Sequence, residues 1–311
     1  VERIMDYLDN ENGGFKGAPK FPQFYIFDTI FYFYNKNKNN KFFNAVEKLL
    51  LNISSKGIYD HLEGGIARYT VDDKWVVPHF EKMLYDQAMI SMAFLEAYQI
   101  TNNENYAKVA REIFTYVLRD MTDKDGGFYS AEDADSEGEE GIFYIWTQEE
   151  LVKILGEDDG LILAKAFGFI DGGNFFEEAS GQTTGNNIPY FQDDRETLAK
   201  NVDMSLDDFN AFIEKSREKL FKVREKRIHP LKDDKILTDW NGLMIAALSQ
   251  GGQVLGDEAY IDAAKNAVKF VLESLRDDNG RLMKRSRLGK AGLQPHLDDY
   301  SFMVFGLLNL Y

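Results

Sequence analysis

The sequence has no cysteine among its 311 residues, which removes disulfides, thiolate metal sites and a cysteine nucleophile. Histidine and tryptophan are nearly as scarce, at four and three residues. Positive charge is short as well: 36 Lys and Arg face 52 Asp and Glu, a formal net charge of −16. Phosphate backbones are held by surplus Lys and Arg, so no nucleic-acid partner is expected. The one basic run, Lys222 to Arg227, follows an amphipathic segment and reads as cations at a helix C-terminus. No apolar run nears the roughly 18 residues of a membrane span, and VERIMDYLDN lacks the basic and apolar regions of a signal peptide. A cytoplasmic protein with no membrane partner is therefore expected. G-x-S-x-G, P-loop, G-x-G-x-x-G and HExxH motifs are also missing, so esterase, NTPase, dinucleotide and zincin chemistry find no support. No cofactor and no metal are expected.

What is present is a long, core-forming pattern. Hydrophobic residues make up 44% of the chain, and a globular chain of this size hides roughly three-quarters of its unfolded surface. The aromatic run Gln23 to Tyr34 has no polar face and reads as a helix buried on all sides, while Lys41 to Ser54 is amphipathic. That alternation of inner and outer helix recurs in Glu81 to Gln99 with Glu104 to Arg119, and in Asp239 to Val254 with Glu258 to Leu275. A third pair is expected from Thr147 to Leu155 and Leu206 to Phe221, and His296 opens a fifth inner helix in which the chain stops. Gly-rich turns such as NGGF, EGGI and DGGF punctuate the pairs at intervals of about 45 to 60 residues, a helical-hairpin repeat. Closed into a ring, the hairpins make an all-α (α/α) toroid, one domain over residues 1–311, incomplete at its C-terminus and carrying short β-hairpins at one rim. An open helical solenoid is the alternative.

Because one type of connection leads into every inner helix, the residues at those entrances should converge. The richest entrance is HLEGGIARYTVDDKWVVPHFEKMLYD, His61 to Asp86. All four histidines lie in connections or entrances, and Pro78-His79-Phe80-Glu81 is echoed by Pro295-His296-Leu297-Asp298. Histidine titrates near neutrality, so His79 and His296 could serve as acid and base. Asp86, Asp239 and Asp299 open apolar helices, where a cap explains them as well as a ligand contact does. The acidic loop around Asp133 and Asp135 starts like an EF-hand but has Tyr144 where the bidentate Glu belongs, so that match fails. Paired carboxylates are also what glycosyl chemistry uses. Trp75, Trp146, Trp240 and Tyr300 stand beside such groups, as rings stacked on a sugar or as core.

The segments GGFKGAPKFP, HLEGGIARYTVDDKWVVPHFEKMLYDQA, GGFYSAEDADSEGEEGIFYIWT, ILTDWNGLMIAAL and LDDYSF together resemble the YyaL-type family, the group that is spermatogenesis-associated protein 20-like. The resemblance implies an N-terminal thioredoxin-like domain, absent from this chain, followed by an (α/α)6 toroid similar to six-hairpin glycosidases and N-acylglucosamine 2-epimerases. It implies a sugar-like small-molecule ligand, with the thioredoxin-like domain as the other partner. Three functions follow as expectations. The first is epimerase or isomerase-like acid/base chemistry, the second inverting or retaining glycoside hydrolysis, the third a non-catalytic module serving the thioredoxin-like domain. The residues expected to carry chemistry are His79, Glu81, His296, Asp239 and Asp298. Those expected to hold the ligand are His61, Glu63, Arg68, Trp75, Asp86, Asp133, Asp135, Trp240, Asn241, Asp299 and Tyr300.

Overall fold

The computed structural model describes residues 2–176 and 185–311. After a one-turn helix α1 (Glu2–Met5), α2 (Phe24–Asn37) and α3 (Asn40–Ser55) pack as a hairpin. Asn39 starts α3 by accepting the Lys41 N–H on its side-chain oxygen, at 3.1 Å. Strand β1 (Lys82–Met83) runs directly into α4 (Leu84–Thr101), and α5 (Glu104–Asp120), capped in the same way by Asn103, packs against it. There follow β2 (Ala131–Glu132) and an acidic hairpin of β3 (Asp135–Ser136) and β4 (Glu139–Glu140), turned by Glu137 and Gly138 at positive φ. Next come α6 (Gln148–Leu155), α7 (Glu157–Ala166), α8 (Arg195–Asn201) and α9 (Leu206–Arg224). Strands β5 (Lys232–Asp233) and β6 (Ile236–Leu237) lead into α10 (Thr238–Leu255), which packs with α11 (Glu258–Ser274). Strands β7 (Arg285–Arg287) and β8 (Lys290–Gly292) precede α12 (Leu297–Leu310).

Helices α2, α4, α10 and α12 stand side by side as the inner layer of an (α/α) toroid, with α3, α5 and α11 outside them. The sequence explains the layering. Helix α10 is apolar almost all round and buries residues on every face, whereas α5 buries only one stripe that includes Tyr106, Val109, Ile113, Phe114 and Val117. Two three-stranded antiparallel sheets, β1–β2–β5 and β6–β7–β8, sit where α4 and α10 begin. They hold the helix entrances at one rim. Between α10 and α12 the approach is close: a Cβ on Gly242 would lie 2.5 Å from the Phe302 carbonyl carbon, and one on Gly306 2.6 Å from the Gly242 oxygen.

Three expectations about the elements change. Helix α6 packs chiefly on α7 and α8 on α9, around a core of their own that includes Trp146, Leu151, Phe167, Phe209 and Ile213. Meanwhile α4 lies directly against α10, so this segment is an excursion from the inner layer rather than a hairpin within it. Two turns of helix ending at Gly156, φ 95°, are too short to serve as an inner element. Helix α2 is not buried all round, because Tyr25 and Tyr32 are each 60% exposed. Finally, residues 66–70 form only isolated bridges, at Ile66 and Thr70, and residues 74–77 form none. The Asp72 carboxylate accepts the N–H groups of Lys74, Val76 and Val77, curling that stretch into a turn.

A buried ionic cluster ties the excursion to the ring. The Lys82 ammonium on β1 lies 2.9 Å from Asp60 and 2.8 Å from Glu63, and Arg224 at the end of α9 reaches the same two carboxylates at 3.0 and 3.1 Å. Mutual pairing offsets the desolvation of all four. The two cations beside Asp60 hold its carboxyl far below the usual range against the opposing effect of burial.

Candidate functional site

The rim gathers side chains from three helix entrances. Arg68, in the loop before β1, donates from Nη1 to Glu81 Oε2 and from Nε to the Tyr85 hydroxyl, both at 3.1 Å. Main chain reinforces the pairing, since the Arg68 N–H donates to the Glu81 carbonyl at 2.8 Å. One residue along from Tyr85, Asp86 is only 6% exposed, and its Oδ2 has no hydrogen-bond partner among the described residues. Burial raises the Asp86 carboxyl well above the usual range, the Glu81 charge adds to that, and Arg68 opposes it. The Trp240 ring stands edge-on to Tyr85 at 4.8 Å. Glu81, Met83, Asp133, Lys232, Lys235 and Trp240 are among the residues lining a pocket of 380 Å³ at this point.

A second cluster supports the first from the α10 and α12 side. Lys284 Nζ bridges Asp239 Oδ2 at 2.5 Å and Asp299 Oδ1 at 3.2 Å. Asp299 is fully buried; it accepts the Asp239 N–H at 3.2 Å and the His296 N–H at 2.7 Å, so one carboxylate fixes both entrances. Burial lowers the Lys284 basicity, but the two aspartates more than reverse this. Further along the inner helices, a cavity of 1020 Å³ opens between α2, α4, α10 and α12. Asp28 and Glu96 lie in its wall. Burial raises Asp28 to about 6, and burial together with the Asp28 charge raises Glu96 to about 7.

The expected site residues therefore separate into groups. Arg68, Glu81, Asp86, Asp133, Asp239, Trp240 and Asp299 meet at the rim. His296, Asp298 and Tyr300 stand exposed at the start of α12. His79 turns to the acidic hairpin, pairing with Glu140 at 2.8 Å and stacking on Tyr69 at 4.8 Å, and Asp135 is exposed on that hairpin. His61 is buried behind the rim against Tyr59, Phe167 and Phe191, and burial lowers its ring to about 3. Glu63 belongs to the buried ionic cluster. Trp75 is fully buried and donates Nε1–H to the Asn12 carbonyl. Asn241 clamps the Phe128 main chain, accepting its N–H at 2.8 Å and donating to its carbonyl at 3.0 Å. Tyr85, Lys284, Asp28 and Glu96 were not among the expected site residues. The last two had a signal, being acidic residues inside otherwise apolar inner helices.

Among the described residues, no cluster of three or more His, Asp or Glu could hold a metal ion, and no helix is long and apolar enough to cross a membrane. No family model matches the chain. Over its whole length it is 35% identical to spermatogenesis-associated protein 20 of Homo sapiens, of which it covers 43%. It thus spans less than half the length of the curated relatives it matches. A solved structure described as UGL with dGlcA-Glc-Rha-Glc superposes on 99% of this chain and 58% of its own, with 10% identity and a TM-score of 0.52. The cellobiose 2-epimerase from Spirochaeta thermophila aligns with 99% of this chain and 93% of its own, at 14% identity and a TM-score of 0.39. The first likeness shows a shared fold.

Proposed function

On the premise that the chain is a homologue of spermatogenesis-associated protein 20 across its whole length, we propose that it acts on carbohydrate through a carboxyl pair at the toroid rim. The observation that carries this is Asp86 beside Glu81: one carboxyl whose proton affinity is raised by burial, the other ion-paired to Arg68. Two carboxyls in such different settings, one buried and one ion-paired to a guanidinium, are suited to divide the acid and base roles of one reaction. In glycoside hydrolysis, Asp86 gives its proton to the departing glycosidic oxygen as that C–O bond breaks. Glu81 supports attack at the anomeric carbon, either by taking a proton from water or by bonding to the carbon itself. Trp240 supplies an apolar ring for a sugar face, and Arg68 orients Glu81 through their ion pair.

The epimerase reading draws on His296, whose entrance opens on the same rim, while His79 is engaged with Glu140 on the acidic hairpin. One experiment separates the readings. Neutral and uronate-containing oligosaccharides are incubated with the chain and followed by NMR in heavy water. New anomeric signals from shortened products support cleavage. Deuterium entering C2 without chain shortening supports epimerisation instead, and no change in any sugar refutes both.

A further inference from the structure

A second cleft lies on the outside of the toroid, away from the rim. It has a volume of 840 Å³ and is walled by α3 and α5 on one side and by α8 and α9 on the other, with Tyr59 and His61 among its lining residues. Most of its charges neutralise one another. Glu112 accepts from the Tyr59 hydroxyl and from Arg217 Nη1 at 2.8 Å, and Glu214 pairs with Lys108 at 2.5 Å and Arg217 at 3.2 Å.

Arg195 is left over. Among the described residues it makes no ion pair, although the chain as a whole has 52 acidic against 36 basic residues. It is half-buried, with its guanidinium 4.8 Å from the centre of the Phe191 ring and one N–H given to Asn210 Oδ1 at 3.0 Å. Those two contacts hold the fork in place, and Arg195 is one of the residues that line the cleft. Arg217 adds a second guanidinium, whose Nε is buried without a hydrogen-bond partner among the described residues. His61 is neutral and brings no competing charge; burial lowers the basicity of Arg195, the nearby Glu214 and Glu112 carboxylates oppose this without pairing with it, and the Arg217 cation adds to the lowering.

We propose that this cleft binds a small organic oxyanion, with Arg195 as the group that pairs with it. A planar guanidinium presents two parallel N–H groups that match a carboxylate or phosphate. Asp193, Asp194 and Glu196 line the same cleft, so the ligand carries one or two negative charges and is no polyanion. The volume takes a molecule of metabolite size.

Titration calorimetry of the intact chain with glucuronate, glucose 6-phosphate and neutral glucose tests the assignment. A carboxylate site takes glucuronate, a phosphate site takes glucose 6-phosphate, and glucose alone gives no heat assignable to this cleft. In Arg195→Gln, and also in Arg195→Lys, binding of the preferred anion weakens by roughly tenfold or more, the loss of one charge-assisted pair. Glu81→Gln at the rim leaves it unchanged. Arg195 has no ion pair to lose, so both variants should fold, which their unfolding temperatures verify. Failure of both anions to bind, or equal binding by the parent and Arg195→Gln, overturns the proposal.

Discussion

Asp86 combines an apolar setting with a neighbouring carboxylate, and each pushes its proton affinity the same way. The sign for stability follows. A carboxyl whose folded pKa is raised binds its proton more tightly folded than unfolded, so stability is full at low pH and declines as pH climbs past the unfolded value. Asp86→Asn keeps the shape without the charge. It is predicted to raise the unfolding temperature above pH 7 and to change it little at pH 4, by calorimetry at both pH values. His61 works in reverse. Its ring is held to about 3 when folded, so acid favours the unfolded chain from about pH 6.5 downward, and His61→Leu should flatten the acid limb of the stability profile. The sequence marked His61 and Trp75 by position alone; it could not tell which face each would take. Trp75 sits at φ 67°, and its ring is carried into the core, where its indole meets the Asn12 carbonyl. Glu81 lies just before β1 and Asp86 in the first turn of α4, at the helix entrance where the sequence pattern put them.

At the scale of elements, the inner helices are fixed by close contact and by shared caps. Gly242 has no room for a side chain against α12. Gly242→Ala should cost about 1–3 kcal/mol through overpacking, read from denaturant unfolding, and should also disturb the Lys284–Asp239–Asp299 bridge one turn away. Removing one partner of the buried ionic cluster should be more severe. Lys82→Met leaves Asp60 with Arg224 and Glu63 with Arg224 and the more distant Arg119, with an expected loss of about 3–5 kcal/mol; an unfolding midpoint equal to the parent would refute that account. Helix periodicity located α3, α5 and α11 well, because one apolar stripe per helix is a local property. It misassigned the segment around α6 because packing partners are not local: α4 meets α10 across about 140 intervening positions, and no spacing within either helix encodes that.

For the whole molecule, the toroid was legible from repeated alternation of apolar and amphipathic helices, and from the aspartates and glycines that punctuate them. The central cavity was not, since α2 looked apolar all round until its exposed face was seen to carry Asp28 opposite Glu96. Those two carboxyls, raised to about 6 and 7, make the protein lose stability as pH rises from about 4 through 7. Asp28 is crowded by the cavity wall yet its surface still reaches solvent, so screening keeps the effect small. The pair Asp28→Asn with Glu96→Gln should raise the unfolding temperature more at pH 8 than at pH 4, seen in parallel melts. The proposed function is placed at the rim. Its central claim is met most directly by measuring oligosaccharide cleavage against pH in the parent and in Asp86→Asn. The account predicts that the parent slows at high pH as Asp86 loses its proton, and that Asp86→Asn is slower by roughly 10²-fold or more while still binding sugar. Cleavage by Asp86→Asn at the parent rate, with the same pH profile, would contradict it.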